Sequence, residues 1–303
     1  MERLRPGLLL SERYRLTGHV ASGGMGQVWE AVDDVLLRRV ALKIMHPHTQ
    51  DELELVERFR DEARFAAQLM HPNIVTIHDF ADFEGLAFLV MEMVDGMSLA
   101  HQLAQGSLPA GQVRILLREL ASALAVAHDA GIIHRDIKPA NVLTSPTGAK
   151  LTDFGIARSV DGDSHTLAGQ VLGTANYLSP EHALGKKLGP ASDIYGLGVL
   201  AHEALTGQRP FERNTPIATA LAHVHDAPPA LPDGTPSDLV ALIAACLKKD
   251  PDERPSATAL VETLEPDDVP PPLHAPADPD PTSVSEDPEA TAALVAVPRR
   301  ALC

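Results

Sequence analysis

The feature that most constrains the fold of this chain is a change of hydrophobic period part-way along it. Residues 14–94 hold five short runs of strand character, at 14–20, 27–32, 40–44, 74–80 and 87–91, punctuated by Gly, Asp and Pro. Beyond residue 100 the period becomes helical. Val113, Leu116, Leu117, Leu120 and Leu124 recur three and four apart within 110–130, and residues 192–205 are apolar on nearly every side. One helix interrupts the strands. Across 53–69, Leu55, Phe59, Glu62, Ala66 and Leu69 share a face, which sets a carboxylate inside an apolar stripe. These periods predict an α+β fold of two lobes: a small β-rich N-lobe over about 14–93 with one key helix, and a larger helical C-lobe over about 94–264.

Composition bounds the remainder. Residues 1–13 read as an N-terminal extension. From residue 265 to 303 there are nine prolines and eight acidic residues, so this Pro-rich acidic segment is expected to be a disordered tail or linker rather than a folded unit. A polyproline ligand at Pro270-Pro271-Pro272 is the less favoured reading of the same segment. The formal net charge of -16 opposes general attraction to nucleic acid or to an anionic membrane, so no nucleic acid partner is expected. No apolar run approaches the roughly 20 residues of a membrane helix, so no membrane segment is expected in this chain. Cys246 in an apolar helical pattern and Cys303 suggest no disulfide framework, which fits a cytoplasmic location.

Three stretches carry chemistry. In Val20-Ala21-Ser22-Gly23-Gly24-Met25-Gly26-Gln27-Val28, small residues let the amides of a strand-turn-strand close over phosphate oxygens, although glycine serves ordinary turns equally well. Val40-Ala41-Leu42-Lys43 alternates as a strand should and directs Ala41 and Lys43 to one face. Lys43 and Glu62 each lack a satisfactory environment alone, and pairing them solves both problems. The strongest signal is His134-Arg135-Asp136-Ile137-Lys138-Pro139-Ala140-Asn141, followed by Asp153-Phe154-Gly155. Phosphoryl transfer needs a carboxylate for the nucleophile's proton, a cation near the transferred group and hard oxygen ligands for Mg2+. Asp136, Lys138, and the pair Asn141 and Asp153 supply these in order.

With these residues the chain resembles the eukaryotic-like (Hanks-type) serine/threonine protein kinases, bacterial members most of all. The resemblance covers about residues 14–264 and includes Phe59-Arg60-Asp61-Glu62-Ala63 and Ser179-Pro180-Glu181. It implies a two-lobed protein kinase fold that uses ATP with Mg2+, Mn2+ being the alternative metal, and acts on Ser and Thr of protein substrates. It further implies Met91 as gatekeeper, residues 92–94 (Glu92 to Val94) as the hinge whose backbone bonds adenine, and Leu143 with Val28 around the ring. Asp193 would brace the catalytic loop that contains Arg135. Glu181 and Arg254 would pair beneath the substrate loop, and Gly173-Thr174 with Lys138 looks like the serine/threonine class. Thr166 stands where bacterial members carry an activating phosphothreonine, with Arg135 as a cation to receive it, and autophosphorylation would suit a homodimer.

Two departures from the family pattern occur. Ala21 replaces the first glycine of its loop, which bears on how closely the lid covers phosphate, and Ala168 replaces a second activating threonine. His46-Pro47-His48 and His223-Val224-His225 have spacings a metal site uses, but nothing completes four ligands, and they read as surface histidines. Two other function classes compete. A pseudokinase scaffold is expected to have lost Lys43, Asp136 or Asp153, and a small-molecule kinase is expected to lack the substrate-loop set. All of those residues are present.

Overall fold

The computed structural model describes residues 4–23, 26–45, 60, 63–64, 66–83, 85–154 and 175–264. Its first lobe is a six-stranded sheet of β1 (Leu9–Leu10), β2 (Tyr14–Gly23), β3 (Gly26–Asp33), β4 (Arg38–Met45), β5 (Ile77–Phe83) and β6 (Leu86–Glu92). The strand order is β1-β2-β3-β4-β6-β5, with every pairing antiparallel. The segment before Tyr14, expected to be an extension, contributes the edge strand β1 and the buried Leu10.

Alternation along β4 gives this sheet two unlike faces. Val40, Leu42 and Ile44 pack with Tyr14, Trp29, Phe88 and Val90 on one side. Ala41 packs on the other with Leu89, Met91 and, from the second lobe, Leu143. Lys43 follows the parity of Ala41 and is therefore carried to the interlobe side. Gly26 opens β3 opposite Met45, and a Cβ at that position would lie 2.1 Å from the Ile44 carbonyl oxygen. Only glycine permits so close a backbone approach.

The second lobe begins with β7 (Met97–Ser98), which joins β8 (Val142–Ser145) and β9 (Gly148–Leu151) in a small antiparallel sheet. Its helices are α1 (Leu99–Leu103), α2 (Ala110–Asp129), α3 (Pro180–Ala183), α4 (Pro190–Thr206), α5 (Pro216–His225), α6 (Ser237–Cys246) and α7 (Ala257–Thr263). Helix α2 buries Val113, Leu116, Leu117, Leu120 and Leu124, the stripe read from the sequence. Helix α4 is buried from Ser192 to Leu205 and forms the centre of the lobe. It starts on Pro190, whose missing N–H is no loss in a first turn, and stops at Gly207 with φ +70°.

One expectation fails here. His223 is fully buried, with the Tyr195 hydroxyl 3.1 Å from its Nδ1, whereas His225 is exposed. Two positions along α5 is a rotation of about 200°, so the two rings cannot share a face and do not form a surface pair. Burial pushes the His223 imidazole down to about 4. His46 and His48 lie outside the described residues. So do Glu62, Gly24, Met25, Gly155, Thr166, Gly173, Thr174 and the segment 265–303. Of the helix expected over 53–69, residues 60, 63, 64 and 66 are described and helical.

Candidate active site

The second lobe fixes its site through one buried carboxylate. Asp193 sits in the first turn of α4, where the helix N-terminus favours negative charge. Its Oδ2 accepts from the His134 amide and its Oδ1 from the Arg135 amide, both at 2.8 Å. His128 Nε2, at the end of α2, lies 2.8 Å from the same Oδ2. These bonds clamp the backbone where Arg135 holds a left-handed φ of +64°, a conformation costly for a side chain of that size. His134 is buried, bonds the Thr152 carbonyl through Nε2 at 3.0 Å and packs 4.6 Å from the Phe154 ring.

Downstream of this clamp, Asp136 is gathered in with its neighbours. Lys138 Nζ donates to Asp136 Oδ2 at 2.7 Å, and Asn141 Nδ2 donates to the same oxygen at 3.0 Å and to the Asp136 carbonyl at 2.8 Å. The Asn141 carbonyl accepts from the Thr152 amide at 3.0 Å. Asn141 therefore touches Asp136 with its side chain and the residue preceding Asp153 with its backbone. Asp153 has φ +61°, the second strained non-glycine in the site.

From the first lobe, Lys43 Nζ reaches Asp153 Oδ1 at 2.7 Å. Sequence grounds alone pair Lys43 with Glu62. Its partner among the described residues is Asp153, and Glu62 is not among them. The ion pair joins the two lobes across their cleft. Above it, one apolar cluster collects Val28, Ala41, Met91, Val94 and Leu143, residues drawn from β3, β4, β6, the segment after β6 and β8. Of the glycine-rich stretch, Val20, Ala21, Ser22 and Gly23 are exposed on β2. They pair back onto β3 through Ala21 with Val28, Ser22 with Gln27 and Gly23 with Gly26.

The donors suit the metal inferred from the sequence. With Asn141 Nδ2 spent on Asp136, its Oδ1 is the atom left for a cation, and Asp153 brings a carboxylate. Two hard oxygens are the protein contribution that a Mg2+ ion taking water and phosphate oxygens needs, and Mn2+ accepts the same set.

Beside the site, Glu181 of α3 and Arg254 form a buried bidentate pair. Arg254 Nη1 and Nη2 each donate at 2.8 Å to a separate Glu181 oxygen, and Ser192 Oγ donates to Oε1 at 2.7 Å. Burial alone would raise the Glu181 carboxyl, but the bonds from Arg254 and Ser192 outweigh it and hold the group at about 2.

The sequence reading missed two contributors. His128 had a signal, a polar residue at the end of the apolar stripe of α2. Lys150, whose Nζ lies 2.8 Å from Glu92 Oε1, had none, because a strand lysine is ordinarily a solvated one.

The protein kinase domain model matches residues 14–264. The serine/threonine-protein kinase PknA of Mycobacterium tuberculosis is 46% identical over 254 residues, covering 82% of this chain and 59% of the relative. A serine/threonine-protein kinase of Corynebacterium efficiens, drp72, is 39% identical over 298 residues, covering 95% of this chain and 57% of the relative. The chain thus spans less than two thirds of the length of these curated relatives. Among solved structures, a point mutant of the Mycobacterium tuberculosis PknI kinase domain superposes with a TM-score of 0.68 at 27% identity, covering 86% of this chain and 97% of that one. The clamp on residues 134 and 135, the Asp136 cluster and the cross-lobe Lys43–Asp153 pair lie within the matched region, and with it they place the chain in the protein kinase domain family, on the two-lobed protein kinase fold.

Proposed function

We propose that this chain is an ATP-dependent serine/threonine protein kinase, with 14–264 as the catalytic domain and 265–303 as a tail or linker. The observation that carries the reading is the position of Asn141, bonded to Asp136 on one side and to Thr152, next to Asp153, on the other. With Asp136 as the proton acceptor and Asn141 and Asp153 as the metal donors, that arrangement would hold the three groups relative to one another, which is what a reaction dependent on positioning and charge neutralisation requires.

Bound MgATP would supply the γ-phosphoryl group and, through the metal, neutralise part of its charge. Asp136 orients the acceptor hydroxyl and takes its proton as the oxygen–phosphorus bond forms and the bond to ADP breaks. Lys138 places a cation beside Asp136 and the transferred group. Asn141 and Asp153 would hold the metal, and Lys43, which pairs with Asp153 at 2.7 Å, would face the α- and β-phosphates, with Glu62 proposed as its further partner. The glycine-rich stretch, 20–28, would cover the phosphates. Val28, Ala41 and Leu143 enclose adenine, with Met91 behind it. The Glu92 amide already donates to the Thr76 carbonyl at 2.8 Å, so the adenine edge is met by the Glu92 carbonyl and the Val94 backbone. Arg135, Thr174, Glu181, Asp193 and Arg254 position the catalytic and substrate loops. Proteins bearing Ser or Thr are the acceptors, a second copy of the chain among them, and nucleic acid is not. A cytoplasmic setting is favoured by the free, buried Cys246, and no described helix is long and apolar enough to cross a membrane.

Purified protein incubated with ATP and Mg2+ should acquire phosphoserine and phosphothreonine and no phosphotyrosine when mapped by mass spectrometry. Absence of phosphate on the chain and on every protein offered to it would reject the reading.

Thr166 is proposed as an activating autophosphorylation site, whose added charge of about -1.5 to -2 would pair with Arg135. Thr166→Ala should lower turnover of an external protein substrate several-fold while leaving ATP affinity unchanged. Full activity in that variant, shown to carry no phosphate elsewhere in 155–174, would sink the assignment.

A further inference from the structure

Lys150 lies in β9, opposite Leu143 of β8 and three residues before Asp153. Its Nζ is 2.8 Å from Glu92 Oε1 and 3.0 Å from Oε2, so it spans both oxygens of the carboxylate. Glu92 is the last residue of β6, in the other lobe. It is tied twice to Thr76, its amide donating to the Thr76 carbonyl at 2.8 Å and its Oε2 accepting from the Thr76 amide at 3.2 Å. The two side chains keep only 16% and 29% of their exposure, so the pair is shielded enough to be more than a surface bridge.

We infer that the Glu92–Lys150 pair is a cross-lobe strut that positions the adenine-binding edge of residues 92–94 over the Leu143 floor. Its ends explain why. Glu92 is where the first lobe's sheet gives way to the segment leading to Val94. Lys150 stands directly across the small sheet from Leu143, which packs in the same apolar cluster as Ala41, Met91 and Val94. The strut fixes the height of the slot between edge and floor without touching the base itself. Lys150 is thus a positioning residue. This inference rests on the proposed adenine site.

A ligand that reads the slot alone isolates the effect. Adenosine has the base and ribose but no phosphate, so its inhibition constant reports the adenine slot and not the metal site. In the full chain, Lys150→Met should raise both the KM for ATP and the inhibition constant for adenosine by about tenfold, the scale for losing one shielded charge-assisted contact. The KM for an acceptor peptide should not move. Lys150→Arg, which keeps the charge and its donors, should restore both constants to within about threefold of the wild type. Should Lys150→Met fail to fold, Glu92→Gln takes its place, since it keeps an oxygen for the Thr76 amide while deleting the charge. An unchanged adenosine constant, or Lys150→Arg as impaired as Lys150→Met, would overturn the strut. Leu143→Ala separates this from the site reading. If Leu143→Ala weakens adenosine and the Lys150 variants do not, the strut fails and the adenine site stands; if Leu143→Ala is also without effect, the adenine placement itself fails.

Discussion

Asp136→Asn is expected to reduce phosphoryl transfer by about three orders of magnitude or more, the upper part of the range for losing a general base that also orients the nucleophile. MgATP affinity should stay within about twofold, because the groups that would hold the nucleotide lie elsewhere, at Lys43, Asn141, Asp153 and the apolar slot. The substitution is nearly isosteric, and asparagine still offers an oxygen to Lys138 and Asn141, which both bond Asp136 Oδ2. Fold and loop geometry should survive, so the loss is chemical. Single-turnover transfer to a peptide, measured beside nucleotide binding by fluorescence displacement, separates the two quantities. Wild-type autophosphorylation in Asp136→Asn would require a different proton acceptor and would remove the basis of the proposed mechanism.

Much of the architecture is legible in the sequence because periodicity is a local signal. The stripe from Val113 to Leu124 and the all-round burial of α4 follow directly from residue spacing. The β4 alternation likewise carries Lys43 to the interlobe side. Partnership is less legible. Lys43 meets Asp153 at 2.7 Å, a contact between positions 110 apart that no strand or helix period encodes. The same holds for Lys150 with Glu92, 58 positions apart. Burial of polar residues is also hard to read. His223 looks like one of a surface pair until the turn of about 200° between neighbours two apart is set against the packed face of α5, where Tyr195 and Phe211 surround it. Motif residues escape this limit only because their spacing was already tied to a chemistry.

The second large effect concerns the buried pair beneath the segment that follows 155–174. Arg254→Leu should destabilise the protein by about 3–5 kcal/mol, because it strands the Glu181 carboxylate in a site that no longer repays its desolvation. Arg254 also donates to the carbonyls of Ala191, Lys248 and Lys249, so its loss leaves three further part-buried acceptors with fewer partners. For a domain of this size the melting temperature should fall on the order of 10 °C. The wild-type pair has a pH signature of definite sign. Glu181 is held at about 2, below its ordinary 4.5, so the unfolded chain binds more protons than the folded one between those values. The stabilisation is therefore fully present above about pH 4.5 and is lost as the pH falls toward 2. Thermal melts from about pH 6 to about pH 3 should show the wild type losing stability steeply while Glu181→Gln loses less. If Arg254→Leu proves too unstable to purify, Arg254→Lys keeps a charge but gives up the bidentate bond and should show an intermediate loss. A melting temperature within about 2 °C of wild type in Arg254→Leu, or identical acid profiles for wild type and Glu181→Gln, would show that the pair is only a packing contact and that the α3 segment is held by its apolar neighbours.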